Sequence, residues 1–202
     1  MNRLGVLGGT FDPPHVGHLR LAEVALEQLG LDRVLFVPVG QPPHKPDWPI
    51  TPAIHREAMV SLAIAGHDRF ALSRADLDRP GPHYTADLLA ILRRAYPEAE
   101  LYFLMGGDSL AQFLTWHDPA RIVAQARLAV LPRPGWTIDL EALERAIPGV
   151  GGRIVWLEGP AVEVSASEIR RRVREGWPIA GMVPPPVEAY IQRHRLYGGQ
   201  GV

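Results

Sequence analysis

The stretch GGTFDPPHVGH, residues 8–18, follows the apolar run 4–7 and precedes an amphipathic pattern that predicts a helix over 17–29. It therefore lies at a turn from a buried strand into a helix. Glycines let the backbone approach an anion, and a helix start offers unpaired N–H groups at the positive end of its dipole. His15 and His18 are three positions apart, so both can donate to one phosphate group. We predict a phosphate-binding turn, the alternative being a plain Gly- and Pro-rich connector.

Apolar runs alternate with helical patterns along the rest of the chain, and this order predicts the fold class. Strands are predicted at 4–8, 34–39, 70–73, 101–105, 126–131 and 153–157, and helices at 17–29, 53–65, 84–96, 139–146, 165–175 and 187–195. Continuous apolar strands separated by helices are typical of a parallel sheet covered on both faces. We therefore predict an α/β, doubly wound parallel sheet in one domain, residues 1–202, with ligands at the carboxyl ends of the strands.

Composition limits the class of protein. A chain of 202 residues with a net charge of −1 fits one domain and argues against binding to nucleic acid or to a membrane surface. The absence of cysteine excludes disulfides, thiolate nucleophiles and cysteine-based zinc sites. No apolar run has the length of a signal-peptide core or a membrane span, so we expect a cytoplasmic protein without membrane contact. The sequence leaves a homo-oligomer open.

Two further loops follow predicted strands and carry polar groups. In Gly106-Gly107-Asp108 the glycines allow close approach of a ligand, and Asp108 could hold a ribose hydroxyl or a metal ion, or simply cap the next helix. Lys45 is the only lysine among 21 basic residues. Its compact ammonium suits a phosphate, although a general preference for arginine with one stray lysine is the alternative.

A helix start and an aromatic loop complete the candidate site. Ser165 or Ser167 is predicted to cap a helix, and Arg170, one turn inside it, would make a second anion pocket. Trp116 lies in a loop where a flat heterocycle could stack on it, although core packing is the commoner role of a tryptophan.

Two common nucleotide-binding motifs are absent from the sequence. Gly5, Gly8 and Gly9 do not have the spacing of the dinucleotide fingerprint Gly-x-Gly-x-x-Gly, and no Gly-Lys-Ser or Gly-Lys-Thr occurs. A Rossmann dehydrogenase and a P-loop ATPase are therefore both disfavoured.

Together the motifs resemble those of the bacterial nicotinate-nucleotide adenylyltransferases, a family of the nucleotidyltransferase superfamily related to class I aminoacyl-tRNA synthetases. Five motifs besides the histidine turn appear in the family's order: Pro-Pro-His-Lys at 42–45, Tyr-Thr at 84–85, Gly-x-Asp-Ser at 106–109, Thr-Trp at 115–116 and Ser-x-Ser-x-Ile-Arg at 165–170. His83 departs from the family's usual Ser, and Ser167 from its common Thr. The resemblance runs from Gly8 to about Tyr197 and implies a Rossmann-like nucleotidyltransferase fold, whose C-terminal helical part, about 165–197, completes the ATP site.

The resemblance also implies roles for individual residues. His15, His18, Lys45 and Arg170 would be catalytic. ATP would be bound by Gly8, Gly9, Thr10, Phe11, His15, His18, Gly106, Asp108, Ser165, Ile169 and Arg170. The nicotinate nucleotide would be bound by His44, Lys45, Tyr84, Thr85 and Trp116, with Trp116 stacked on the pyridine ring. Mg²⁺ would be held mainly by the ATP phosphates and water, without a metal site of the protein's own.

The implied activity is an adenylyl transfer in NAD biosynthesis. A phosphate oxygen of nicotinate mononucleotide would attack the α-phosphorus of ATP directly, giving nicotinate adenine dinucleotide and pyrophosphate. One alternative is a related nucleotidyltransferase that uses nicotinamide mononucleotide or another phosphorylated acceptor, such as phosphopantetheine. The other is a nucleotide-binding module without catalytic activity. An RNA-binding role is opposed by the neutral net charge.

Overall fold

A six-stranded parallel sheet forms the centre of the protein. The structure, a computed structural model, describes residues 2–41, 50–160 and 162–198. The strands lie side by side in the order β3-β2-β1-β4-β5-β6, and all five neighbouring pairs are parallel. Their bounds are β1 Arg3–Gly9, β2 Arg33–Pro38, β3 Phe70–Leu72, β4 Glu100–Gly106, β5 Arg127–Leu131 and β6 Ile154–Trp156. The predicted doubly wound parallel sheet is thereby confirmed.

Helices connect the strands and continue beyond the last one. Their bounds are α1 Val16–Gln28, α2 Ala53–Ile64, α3 Thr85–Ala95, α4 Gly107–Ala111, α5 Pro119–Gln125, α6 Leu140–Ala146, α7 Ala166–Arg174 and α8 Pro185–Arg193. Short 3₁₀ turns lie at Phe113–Thr115 and Val150–Arg153. None of the helices in the described ranges combines the length and the apolar content needed to cross a membrane.

Each face of the sheet is covered by its own hydrophobic cluster, which explains why the strands are apolar at nearly every position after the first. Val6 packs on the face that α3 and α5 cover, whereas its neighbour Leu7 packs on the face that α1 and α2 cover. Successive side chains of a strand point to opposite faces, so a sheet buried on both sides selects apolar residues without alternation.

The last two helices pack on α2 through a third, smaller cluster. Met59 of α2, Ile169 of α7 and Val187 of α8 meet there, and each of these side chains is fully buried. Helix α8 begins at Pro185, two residues before its predicted start at Val187, because proline is tolerated in the first turn of a helix.

The direction of winding reverses beside β1. The chain adds β2 and β3 on one side of β1 and then crosses to add β4, β5 and β6 on the other. In such sheets ligands bind outside the carboxyl ends of the strands at the reversal. Strands β1 and β4 end there at Gly9 and Gly106, so the loops after these strands are where the site is expected.

Candidate active site

The loop after β1, residues 10–15, is a tight turn that we call the catalytic turn. Phe11 has a left-handed backbone conformation with φ of 50°, and its side chain is 2% exposed. A β-carbon added to Gly9 would lie 3.3 Å from the Phe11 ring, so a small residue suits this position. The turn delivers the chain to His15, the cap of α1.

The two histidines stack directly on each other. Their ring centroids are 3.7 Å apart with 26° between the planes, and the backbone N–H of His15 donates to Nδ1 of His18 at 3.1 Å. Since that nitrogen accepts a hydrogen bond, the proton of a neutral His18 lies on Nε2. His18 is thereby prepared to donate through Nε2 to a ligand.

Both histidines are held neutral in the free protein. Burial, and then the positive charge of Arg133, lower the pKa of His15 to about 3. Burial, His15 and Arg133 lower the pKa of His18 well below its ordinary value. The pair therefore offers hydrogen bonds rather than charge at neutral pH.

Arginine side chains supply the positive charge beside the histidines. Arg133 forms an ion pair with Asp108 at 3.2 Å and donates to the carbonyls of Val162 and Val164 at 3.1 and 3.0 Å. Arg170 donates to the carbonyl of Asp12 at 2.6 Å. Arg133 belongs to none of the motifs recognised in the sequence. Its position two residues after the end of β5, at the same sheet edge as the other motifs, was the available signal.

The histidines and arginines line one side of a cavity of about 320 Å³, which we call the histidine cavity. Seven of the predicted ATP residues line it, namely Gly8, His15, His18, Gly106, Asp108, Ser165 and Arg170. Ser165 caps α7 as predicted, accepting from the N–H of Glu168 at 3.2 Å. Phe11 lines a smaller cavity of about 160 Å³ beside it, together with both histidines and Arg170.

Ile169 lies apart from this group. Its side chain is fully buried in the cluster between α2, α7 and α8 and does not line the histidine cavity. The helical periodicity explains the difference, because Arg170 is about 100° further around α7 and points to another side.

A second cavity of about 410 Å³, the aromatic cavity, lies on the other side of the β1 end. Its lining includes Tyr84, Thr85 and Trp116, which were predicted for the nicotinate nucleotide, and also Gly9 and Thr10, which were predicted for ATP. Tyr84 stacks on His117 with centroids 3.9 Å apart, and Trp116 meets Phe103 edge-on at 5.9 Å. The predicted His44 and Lys45 lie outside the described residues.

A buried polar cluster, which the sequence analysis did not find, supports the aromatic cavity. Asp76, 2% exposed, accepts from Arg79 Nε at 2.8 Å and from the N–H of Gly40 at 3.1 Å, and it lies 3.1 Å from Nδ1 of His83. A β-carbon on Gly40 would overlap the His83 ring. The imidazole of His83, at the position where the family usually has Ser, is therefore accommodated by the missing side chain of Gly40 and by the carboxylate of Asp76.

The two cavities share part of their walls. Five residues line both of them: Gly8, Phe103, Asp108, Ser109 and Trp116. A ligand in each cavity would therefore meet the other over the carboxyl ends of β1 and β4. One cavity offers donors and cations for an anion, and the other offers aromatic rings for a flat heterocycle.

Comparisons with known proteins show what the chain is similar to. The family model described as cytidylyltransferase-like matches residues 6–172. A relative from Thermomicrobium roseum named "Probable nicotinate-nucleotide adenylyltransferase" is 53% identical, with 98% of this chain and 92% of that protein covered. One of the same name from Thermus thermophilus is 45% identical, with 96% and 99% covered.

The fold also has close counterparts among solved structures. Nicotinic acid mononucleotide adenylyltransferase of Plasmodium falciparum, solved in complex with NaAD, superposes with a TM-score of 0.80 over 98% of both chains at 20% identity. The same protein in complex with APC gives a TM-score of 0.78. At this identity the likeness bears on the fold.

Proposed function

Because the chain belongs to the cytidylyltransferase-like family and, within it, to the nicotinate-nucleotide adenylyltransferases, we propose that its two joined cavities hold ATP and nicotinate mononucleotide side by side. The enzyme joins these substrates to give nicotinate adenine dinucleotide and pyrophosphate, a step of NAD biosynthesis. The observation that carries the assignment of substrates to cavities is the shared wall, in which Gly8, Asp108 and Trp116 line both.

The reaction needs no nucleophile from the protein. A phosphate oxygen of nicotinate mononucleotide forms a bond to the α-phosphorus of ATP, while the bond to the bridging oxygen breaks and pyrophosphate leaves with the bonding electrons. The second pKa of a phosphate monoester is about 6, so the attacking group is ionised at neutral pH without a general base. Catalysis then consists of alignment and of stabilising charge on the transferring group.

We assign the histidine cavity to the ATP phosphates. The Nε2–H of His18 donates to a phosphate oxygen, and its neutral state fits a hydrogen-bond donor that is fixed before the substrate arrives. Arg170 and Arg133 line the same cavity and supply the cationic charge. Ser165 and the first turn of α7 face the same space, which supports the role of the C-terminal helices in completing the ATP site.

We assign the aromatic cavity to the nicotinate nucleotide. Trp116 offers a ring face to the pyridine, and Tyr84 and Thr85 at the start of α3 offer polar groups beside it. His44 and Lys45 stay predicted contacts for the same nucleotide.

Mg²⁺ is the cofactor that nucleotidyltransferases of this kind generally use, and we propose that it is carried mainly by the ATP phosphates. When bound, it would neutralise phosphate charge during the transfer. Asp108, at the junction of the cavities, is paired with Arg133, and no three His, Asp or Glu side chains converge on one point within the described ranges. This donor set fits an ion coordinated by phosphate oxygens and water.

Pyrophosphate release tests the assignment of the acceptor. ATP and Mg²⁺ are supplied with nicotinate mononucleotide or with nicotinamide mononucleotide, and a reaction without acceptor is the blank. We expect rapid release with the acid and much slower release with the amide. Release with neither nucleotide would contradict the assignment and favour another phosphorylated acceptor, such as phosphopantetheine.

A further inference from the structure

The segment after α8 leads back to the catalytic turn, and its backbone adopts unfavourable conformations on the way. Arg195 and Tyr197 both have left-handed conformations, with φ of 50° and 63°. Bulky L-residues seldom adopt this region, and such strain persists only where the surrounding contacts enforce it. The contacts of Tyr197 are therefore where a reason for the strain is to be sought.

The hydroxyl of Tyr197 donates to Oδ1 of Asp12 at 2.7 Å, although the two residues are 185 positions apart. The Asp12 side chain is 3% exposed, and its other oxygen accepts from the backbone N–H of Thr51 at 3.3 Å. Burial and the Asp12 carboxylate raise the pKa of Tyr197 above its ordinary value, so the hydroxyl stays a donor throughout the neutral range.

Asp12 is also joined to the residues assigned to the phosphates. It lies in the catalytic turn three positions before His15, and its carbonyl accepts from Arg170 at 2.6 Å. Asp12, Arg170 and both histidines line the same small cavity. One residue thus connects the C-terminal segment, the catalytic turn and the arginine of α7.

We propose that Tyr197 is a positioning residue for adenylyl transfer: its hydrogen bond to Asp12 fixes the catalytic turn and Arg170 in the arrangement that the ATP phosphates require. The proposal rests on the function proposed above. Loosening this contact would displace phosphate-binding groups by fractions of an ångström, which weakens interactions made in the transition state. The aromatic cavity would be affected less, since it meets the catalytic turn at Thr10, whereas Tyr84, Thr85 and Trp116 belong to other elements.

The test compares Tyr197→Phe with Tyr190→Phe. Tyr190 is matched, because it lies on α8 and its hydroxyl is 3.0 Å from Nδ1 of His55, away from the cavities. For Tyr197→Phe we expect kcat to fall about tenfold and KM for ATP to rise, with a smaller change in KM for nicotinate mononucleotide. Tyr190→Phe should keep the kinetic constants of the wild type, although its thermal stability should fall by about as much as that of Tyr197→Phe.

A second variant, Asp12→Asn, separates the effect of the Tyr197–Asp12 hydrogen bond on kcat from a general loss of stability. Asp12→Asn replaces the charged acceptor by a neutral one, so Tyr197→Phe should cost a smaller factor in kcat in that background than in the wild type. The proposal is overturned if Tyr197→Phe retains kcat within about twofold, or if Tyr190→Phe lowers kcat as much as Tyr197→Phe does. It is also overturned if the double variant lowers kcat by the product of the factors for Asp12→Asn and Tyr197→Phe alone. Absence of transfer by the wild type would instead overturn the proposed function.

Discussion

His18 is a neutral hydrogen-bond donor whose orientation is set by the backbone. The N–H of His15 occupies its Nδ1, so only Nε2 is free to meet a phosphate. Replacing His18 by alanine should lower kcat by about 10²-fold or more, the scale of a lost oxyanion donor. Steady-state pyrophosphate release measures this effect, and thermal unfolding checks that the variant is folded.

His67→Ala is the matched control for that substitution. His67 is an exposed histidine beside β3, stacked on Phe70 at 4.6 Å. Its removal should leave kcat unchanged. A kcat of His18→Ala equal to that of the wild type would contradict the role assigned to the Nε2–H group.

His15 makes the stability of the free protein depend on pH. Its pKa is about 3 in the folded state, against 6.5 for the unperturbed group, so between these values the unfolded chain binds more protons. The contribution of His15 to the free energy of unfolding is therefore fully present above about pH 6.5 and is lost as the pH decreases toward 3. At pH 5 about 2 kcal/mol of it is lost.

Denaturant unfolding at pH 7.5 and pH 5 measures this dependence. His15→Gln should show a smaller decrease in the free energy of unfolding between the two pH values than the wild type. If both proteins lose the same amount, His15 is not buried in the neutral form.

At the scale of elements, helix α2 braces the loops that follow β1 and β2. Arg56 is 1% exposed and donates to the carbonyls of Thr10 and Thr51 at 2.9 and 2.8 Å and to those of Val39 and Gly40, both at 2.7 Å. A planar guanidinium with five N–H groups can serve four carbonyls at once.

Replacing Arg56 by methionine would leave these carbonyls buried without their donor. The free energy of unfolding should fall by about 3 kcal/mol, and lysine should not restore it because an ammonium cannot reproduce the fork. Chemical denaturation measures both variants. Arg94→Met, at an exposed position of α3, is the control and should change stability by less than about 0.5 kcal/mol. An equally small effect at Arg56 would contradict the bracing role.

The elements themselves were largely predictable because hydrophobic periodicity is a local property. All six strands were predicted within one residue of their observed bounds, since each consists mainly of a continuous apolar run. Helix α5, Pro119–Gln125, was not predicted. Two turns are too short to show an amphipathic period, and the available signal was the start Asp118-Pro119, in which the Asp118 side chain accepts from the N–H of Arg121.

For the whole molecule, the site is assembled from two packed parts. The sheet carries the catalytic turn and the loop after β4, whereas α7 carries Arg170 and is attached to α2 through the third cluster. Because Ile169 is fully buried in that cluster, we expect it to fix the rotation of α7 and thereby the position of its neighbour Arg170.

Ile169→Ala and Ile191→Ala separate stability from site geometry. Both side chains are buried in the third cluster, and each truncation should cost about 2–5 kcal/mol of unfolding free energy. Ile169→Ala should raise KM for ATP more than Ile191→Ala, because Ile169 directly precedes Arg170 on α7 whereas Ile191 lies on α8. Equal KM values for ATP in the two variants would contradict this assignment of positions.

Contacts between distant parts of the chain are what the sequence could not supply. The motifs at the strand ends predicted a site at the reversal of the sheet, and the topology brought them together there. Arg133 and Tyr197 were missed because their partners, Asp108 and Asp12, lie 25 and 185 positions away and no local pattern encodes the pairing.

The central claim is that two substrates lie side by side and that the adenylyl group passes directly between them. The stereochemistry of the transfer tests it, using ATP with a chiral thiophosphate at the α position and nicotinate mononucleotide as acceptor. A single in-line displacement predicts inversion at the α-phosphorus. Retention of configuration would reveal a covalent adenylyl-enzyme and contradict direct transfer between the substrates.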